Sequence, residues 1–300
     1  MNKPTFQTLD LHFLGNQTAI ASYAIPHRAG VILVESGPGS TLPALEMGLA
    51  ELGYRLDQVS DVLVTHIHLD HAGASGALAH HGATVHVHPN GAPHLVDPTK
   101  LLASAARIYG DQMDYLWGEF LPVPESQLNV LADGQSLQIG EHTFLPLDTP
   151  GHANHHFAYL FQDTCFSGDI GGVRIPGAQY LRVPMPPPEF HLPAWRNSVA
   201  RLRQATPKQL APTHFGPFSD VAWHLGELER SLDLIEAWLE KLMPSDPDLE
   251  EINRAFTAWM DQQAAAAGLP PAARDAFEAA NPSWMSAAGM QRYWRKVRQG

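Results

Sequence analysis

Three histidines and one aspartate lie within six consecutive positions, at His66, His68, Asp70 and His71. Imidazole and carboxylate groups are common ligands of divalent transition-metal ions. The apolar run 62–64 precedes them and predicts a buried strand. On an extended chain His66 and His68 point the same way, whereas Asp70 and His71 open the next element and face elsewhere. The cluster therefore predicts a metal site that can serve two ions.

Three further residues of the same types follow short strand-like runs. They are His152, Asp169 and His214. Side chains at strand ends can converge at one edge of a sheet even when they are far apart in sequence. We therefore expect these residues to join the first four. The histidines without such a setting are predicted to be structural or surface residues, with substrate contact as an alternative for His94: His86, His88, His94, His155 and His156.

The chain around the first cluster alternates between strand and helix patterns. Strand-like runs cover 6–14, 18–25, 31–35, 61–65 and 83–88, and apolar residues at helical spacing cover 42–52 and 72–81. Strand, helix and strand in this order predict an α/β unit.

After residue 88 the sequence pattern is first helical, then mainly β, and then helical again. Residues 89–124 predict a helical insertion whose aromatic side chains either pack in the core or line a substrate pocket, with packing as the default. The segment 128–170 is β-rich, the proline-rich segment 183–188 predicts an ordered loop, and 193–204 and 209–211 predict a helix and a strand. Helical patterns at 225–242, 249–262, 272–280 and 285–297 then predict a division of the chain into a domain at 1–222, which contains the predicted metal cluster, and a C-terminal helical region at 223–300.

The composition narrows the classes of partner. A formal charge of -12 with only 19 Lys and Arg residues argues against nucleic acid or an anionic membrane as a partner. The single cysteine, Cys165, excludes an internal disulfide framework, and we expect it to pack in the core. No run approaches the roughly 18 apolar residues of a membrane span, so we expect a cytoplasmic protein with a small-molecule substrate. The apolar face of the C-terminal helices fits either the active-site mouth or a second copy in a homodimer.

The ligand-type residues occur in a recognisable order. The series is His66-x-His68-x-Asp70-His71, Gly151-His152, Gly168-Asp169 and Thr213-His214. In order and spacing it resembles the metallo-β-lactamase superfamily over about residues 5–220. The resemblance implies an α/β (α+β) fold, a four-layer αβ/βα sandwich with the metal site at one edge between two sheets, here with a C-terminal helical appendage.

The resemblance also implies a role for each ligand. It assigns His66, His68 and His152 to a first ion and Asp70, His71 and His214 to a second ion, with Asp169 bridging both. The expected cofactors are two divalent ions, zinc first, with iron or manganese as alternatives. A hydroxide held between the ions would attack a carbonyl group of an ester, thioester or lactone, and Asp70 would orient it or relay its proton.

Several positions narrow the choice within the superfamily. Asp169 as the bridge resembles glyoxalase II and lactonases, whereas true β-lactamases usually carry Cys or Ser in that role. His68 stands where flavodiiron oxidoreductases carry Glu, and Glu35 stands where the family more often has Asp. The segments 186–189 and 213–216 resemble those of uncharacterised hydrolases related to glyoxalase II and acyl-homoserine lactonases.

Two other functions remain alternatives. A mononuclear-iron thiol dioxygenase resembling the persulfide dioxygenases would share much of the ligand set. A metal-stabilised binding protein that uses the helical tail would need fewer ligands than are present. Three tyrosines, Tyr23, Tyr109 and Tyr180, are candidates to contact substrate, although packing is the default for each.

Overall fold

The computed structural model describes residues 5–298, whose strands form two sheets. The chain divides into two compact units. The first comprises Met1–Asp148 and Phe157–Gln162, and the second comprises Thr149–His156 and Asp163–Gly300. Both units combine helices with strands, which confirms the α/β class.

The first unit contains a six-stranded sheet whose strands follow one another in sequence order. The strands are β1 Gln7–Asp10, β2 Ala21–His27, β3 Gly30–Val34, β4 Val59–Leu63, β5 Thr84–Val87 and β6 Leu128–Val130. Pairing is antiparallel from β1 to β3 and parallel from β3 to β6. Every residue of β3 is buried, as expected for a parallel strand with both faces covered. The predicted metal cluster follows the end of β4.

Helices connect these strands. They are α1 Leu42–Glu51, α2 Leu69–Ala72 and α3 Ser75–His80, followed by α4 Ala92–Val96, α5 Thr99–Tyr109 and α6 Met113–Trp117 between β5 and β6. The last three show the helical character predicted for residues 89–124, while its status as an insertion stays a prediction. Its aromatic residue Trp117 stacks on Phe13 with ring centroids 5.6 Å apart, and both side chains are buried in the core. Packing in the core is therefore confirmed for Trp117.

Three more strands of the first unit form antiparallel pairs. They are β7 Leu137–Ile139, β8 His142–Asp148 and β9 Phe157–Phe161. Phe144 and Phe161 face each other across β8 and β9 and stack with ring centroids 4.9 Å apart. Such cross-strand aromatic pairs stabilise the register of a sheet.

The second unit begins with a strand, helix and strand. Strands β10 Thr164–Phe166 and β11 Gln209–Ala211 pair in parallel, and α7 Leu192–Gln204 connects them. The side chain of His191 caps α7 by accepting a hydrogen bond from the amide of Ala194 at 3.1 Å. The predicted helix at 193–204 and the predicted strand at 209–211 are both confirmed.

Helices make up the rest of the second unit. They are α8 Val221–Leu242, α9 Leu249–Ala266, α10 Pro271–Ala280 and α11 Ser283–Tyr293, with a π-helical turn at Trp294–Arg298. All four predicted C-terminal helices are thus present. The domain boundary at 222/223 stays a prediction, and α8 starts next to it. Within residues 5–298, no helix combines the length and apolar character that crossing a membrane requires.

Two predicted elements differ from those in the structure. The strand predicted over 6–14 ends at Asp10, because its carboxylate accepts hydrogen bonds from the amides of His12 and Thr18 and bends the chain. The helix predicted over 72–81 is divided into α2 and α3. The amide of Ala74 donates to the carbonyl of Gly37 at 2.9 Å instead of continuing the helical ladder.

Candidate metal centre

The first unit places four predicted ligands at the end of β4 and the start of α2. His68 is the extended residue that precedes α2, and Asp70 and His71 lie in its first turn. His66 Nε2 lies 2.9 Å from His68 Nδ1, and Asp70 Oδ2 lies 3.5 Å from His71 Nε2. The side chains of His66 and His71 are completely buried. The structure therefore forms two adjacent donor pairs from this single stretch of chain.

Glu35 anchors a histidine from each of these pairs. Its Oε1 accepts the hydroxyl of Thr65 at 2.5 Å and lies 3.1 Å from His71 Nδ1. Thr65 Oγ1 in turn lies 3.0 Å from His66 Nδ1. Because the hydroxyl proton of Thr65 is directed to the carboxylate, Thr65 Oγ1 accepts a hydrogen bond from His66 Nδ1. Both histidines are thereby held with Nδ1 protonated and with the lone pair on Nε2.

The second unit brings its three predicted ligands together around one carboxylate. Asp169 Oδ2 lies 3.2 Å from His152 Nε2, and Asp169 Oδ1 lies 3.3 Å from His214 Nε2. All three side chains are buried. The two oxygens of one carboxylate thus face two different imidazoles, which is the geometry that a bridging ligand needs.

Backbone groups and α7 hold this arrangement. His152 Nδ1 lies 2.9 Å from the carbonyl oxygen of Pro184, which can only accept, so His152 carries its proton on Nδ1. Trp195 of α7 packs edge-on against His152 with ring centroids 5.8 Å apart. The indole nitrogen of Trp195 also donates to the carbonyl of Ile170, next to Asp169, at 3.1 Å.

The donor spacing fits coordination of divalent metal ions. Nitrogen and oxygen ligands bound tetrahedrally at about 2.0–2.1 Å lie about 3.3 Å from one another. The four donor pairs within the two units are separated by 2.9, 3.5, 3.2 and 3.3 Å. All seven predicted residues also belong to groups of histidine and aspartate side chains that could hold a metal ion. The neutral imidazoles and carboxylates suit zinc, iron or manganese.

Comparison with known proteins identifies the family. Residues 15–214 match the model of the Metallo-beta-lactamase superfamily. The chain belongs to this superfamily. The metallo-β-lactamase fold predicted from the ligand series is therefore confirmed, while the stacking of its four layers stays a prediction.

Individual relatives of this metallo-β-lactamase superfamily member are distant. The chain is 28% identical over 166 residues to a metallo-beta-lactamase fold-containing protein of Sulfurisphaera tokodaii, covering 54% of this chain and 62% of that protein. It is 30% identical over 147 residues to a hydroxyacylglutathione hydrolase of Aeromonas hydrophila, covering 49% and 44% of the two chains. The matches thus span less than two thirds of either relative.

A solved structure shows the same fold over most of the chain. The metallo-beta-lactamase family protein of Thermus thermophilus superposes with a TM-score of 0.66 at 22% identity, covering 99% of this chain and 95% of that one. At this identity the likeness shows the fold alone.

A buried guanidinium network supports the ligand-bearing loops of the second unit. The amide of Arg174 donates to the carbonyl of His214 at 2.6 Å, and His224 Nε2 donates to the carbonyl of Gly171 at 2.7 Å. The guanidinium of Arg174 binds both carboxylate oxygens of Asp220 at 2.7 Å. Burial lowers the pKa of His224 to about 4, so its ring is neutral at neutral pH. No sequence motif predicts this network, since Arg174 and His224 lie outside the ligand series.

Two of the other histidines singled out by type have structural partners. His86 lies 2.8 Å from Asp61 and 2.9 Å from Asn129, and His155 lies 3.4 Å from Glu189. These contacts confirm the structural prediction for His86 and His155.

The candidate tyrosines differ in surroundings. Tyr23 is completely buried and contacts Phe6, and the hydroxyl of Tyr180 donates to the carbonyl of Met260. Burial, with the nearby charge of Asp70, raises the pKa of Tyr109. Tyr109 is thus the tyrosine with an electrostatic link to a proposed ligand.

Proposed function

We propose that this chain is a metal-dependent hydrolase that cleaves an ester, thioester or lactone using two divalent ions. The observation that carries the proposal is Asp169, whose two oxygens face His152 and His214 at 3.2 and 3.3 Å. Family membership supports the hydrolase class, and one relative is named a hydroxyacylglutathione hydrolase. Zinc is the first candidate, with iron and manganese as alternatives.

In this proposal the seven ligands divide between two ions. The first ion is held by His66, His68 and His152, the second is held by Asp70, His71 and His214, and Asp169 binds both. Each donor pair measured within a unit belongs to a single ion in this assignment. Two carboxylates offset about half of the charge of two dications. The remaining positive charge favours an oxyanion that develops during attack on a carbonyl group.

In the proposed reaction the ions activate water and the carbonyl group, and residues of the chain orient the reacting groups and accept a proton. When bound, divalent ions lower the pKa of a coordinated water toward about 7 and polarise a carbonyl oxygen. Asp70 is proposed to orient the attacking water and accept its proton. Its side chain is 22% exposed, whereas that of Asp169 is 5% exposed, so Asp70 is the ligand carboxylate that solvent reaches. Glu35, directly or through Thr65, and the carbonyl of Pro184 keep His66, His71 and His152 in the tautomer that offers Nε2.

Metal quantitation combined with a substrate panel tests the proposal. We expect about two ions per chain and turnover of at least one class among lactones, thioesters and aryl esters. Asp169→Ala is expected to lose at least one ion and to lower kcat by about 100-fold or more. Asp163→Ala is the matched control, because Asp163 is an exposed residue of the same unit that pairs with Lys208.

Two outcomes would overturn the proposal. If Asp169→Ala keeps both the metal content and the turnover of the parent chain, the ligand assignment is wrong. One iron per chain with oxygen uptake on a persulfide would instead establish the thiol dioxygenase.

A further inference from the structure

The proline-rich segment 183–188, here called the proline loop, is a largely buried stretch without regular secondary structure. Buried backbone groups must find hydrogen-bond partners, and this segment has no helical or sheet hydrogen bonds to provide them. Four of the six residues are prolines, so only Val183 and Met185 carry an amide proton. The loop is therefore rich in carbonyl acceptors, and its position depends on donors from other elements.

Helix α11 packs directly on the proline loop. A Cβ atom built on Gly289 would lie 1.9 Å from the carbonyl oxygen of Met185, so only glycine permits this approach. The amide of Met185 donates to Ser286 Oγ at 3.4 Å. Arg292 Nε donates to the carbonyl of Pro188 at 3.0 Å. Helix α11 thus contacts the loop through its middle and its end.

The proline loop also contacts a proposed metal ligand. The carbonyl of Pro184, one residue before Met185, accepts the Nδ1 proton of His152 at 2.9 Å. The neighbouring residue Glu189 accepts the amide of Asn154 at 2.9 Å. The loop therefore lies between α11 and the turn that carries His152, with hydrogen bonds to both.

We propose that α11 is a positioning element for the metal centre, acting on His152 through the proline loop. Gly289, Ser286 and Arg292 fix the loop, and the Pro184 carbonyl fixes the tautomer and the direction of the imidazole. A shift of the loop by about 1 Å would break the hydrogen bond to His152, since such bonds weaken steeply beyond about 3.2 Å. The inference rests on the proposed function in one respect, because it takes His152 as a ligand of the first ion. It gives the C-terminal helices a role in metal binding.

A pair of glycine substitutions isolates this contact. Gly289→Ala forces a methyl group against the backbone of the proline loop. Gly226→Ala is the matched control, because Gly226 also lies in a helix and a Cβ there has nothing within 4 Å. Both changes gain the same helix propensity, so a difference between them reports the contact with the loop. We expect Gly289→Ala to weaken binding of one ion by about 10- to 100-fold and Gly226→Ala to leave binding of both ions unchanged.

Two readouts separate positioning from a general loss of structure. Chelator competition gives the affinity of each ion, and the absorption spectrum of the cobalt(II)-substituted protein reports the coordination of His152. The thermal unfolding midpoint of the metal-free protein is measured in parallel. We expect the first two readouts to change in Gly289→Ala, and the midpoint to stay within a few degrees of that of Gly226→Ala.

A second pair covers the case in which Gly289→Ala fails to fold. Arg292→Ala removes the hydrogen bond to the carbonyl of Pro188 and leaves the core intact. Arg295→Ala is its control, because Arg295 pairs with Asp246 at 3.3 Å at the same end of the chain. We expect Arg292→Ala to lower the affinity for one ion several-fold. Arg295→Ala should leave the affinity for both ions unchanged.

The outcomes distinguish this inference from the proposed function. If the parent chain binds no ions, the proposed function fails. If the parent chain binds two ions and hydrolyses substrate, but Gly289→Ala and Arg292→Ala match their controls in affinity and spectrum, only the positioning role of α11 is refuted.

Discussion

Replacing Glu35 by glutamine tests how much its hydrogen bonds to the ligand histidines contribute to metal affinity, because every proposed ligand stays in place. One oxygen of Glu35 accepts hydrogen bonds from the Thr65 hydroxyl and from His71 Nδ1, and the other accepts from the amide of Thr65 at 3.2 Å. Glutamine keeps one acceptor and places an NH₂ group where the carboxylate had only acceptors. If that group faces His71, Nδ1 must accept, and the ring proton moves to Nε2. His71 Nε2 would then carry a proton and have no lone pair for a metal ion.

The expected loss follows from the number of ligands that Glu35 supports. Loss of a single outer partner typically costs 10- to 100-fold in metal affinity, which is about 1.4 to 2.7 kcal/mol. Glu35 reaches His71 directly and His66 through Thr65, and these histidines are assigned to different ions. Both affinities should therefore fall by about that factor in Glu35→Gln. Glu35→Asp keeps the acceptors on a shorter side chain, so its effect should be smaller.

Chelator competition on the purified variants measures both affinities. Asp61→Asn is the control, because Asp61 accepts from His86 at 2.8 Å in the same sheet without touching a proposed ligand. Equal affinities in Glu35→Gln, Asp61→Asn and the parent chain would refute the idea that Glu35 sets the tautomers. Loss of affinity for the second ion alone would show that the hydrogen bonds from Glu35 through Thr65 to His66 do not contribute to binding of the first ion.

Two further predictions follow from buried titratable groups. Burial, helped by Arg174, lowers the pKa of His224 to about 4 from 6.5, so the unfolded chain binds this proton more readily and stability falls as the pH drops from about 6.5 toward 4. In urea unfolding of the metal-free protein, the loss between pH 7.5 and pH 5 should be about 2 kcal/mol smaller in His224→Gln, and equal losses would contradict the assignment. Burial also raises the pKa of the Cys165 thiol to about 12, so iodoacetamide at pH 8 should label Cys165 only after unfolding; labelling of the native chain, seen by mass spectrometry, would contradict this.

The proposed ligands were predictable because each obeys a local rule. His66 and His68 stand two apart on extended chain after an apolar strand, and the structure places their ring nitrogens 2.9 Å apart. Asp169 follows a strand in the same way. Residue type and position at a strand end were enough to select these side chains, and helical spacing was enough to find the long C-terminal helices.

The supporting residues were harder to predict because they act through tertiary contacts. Glu35 was singled out only as a departure in side-chain length, and its contacts depend on how β3 and β4 pair. Arg174 and His224 lie 50 residues apart and meet only in the folded chain. The contact between Gly289 and the carbonyl of Met185 is likewise invisible in a helical pattern, where glycine indicates only weak propensity.

The seven proposed ligands are spread unevenly along the chain, with consequences for protein synthesis. Four of them lie between His66 and His71, whereas His214 follows roughly 140 residues later. At about 5 to 20 residues per second, the ribosome makes the first cluster about 7 to 28 s before the last ligand. Until His152 is made, the nascent chain carries only the first four proposed ligands, three imidazoles and one carboxylate. Such a ligand set binds divalent ions in the Irving–Williams order, so copper and zinc bind ahead of iron and manganese. We therefore expect the metal available during translation to influence which ion the finished protein contains.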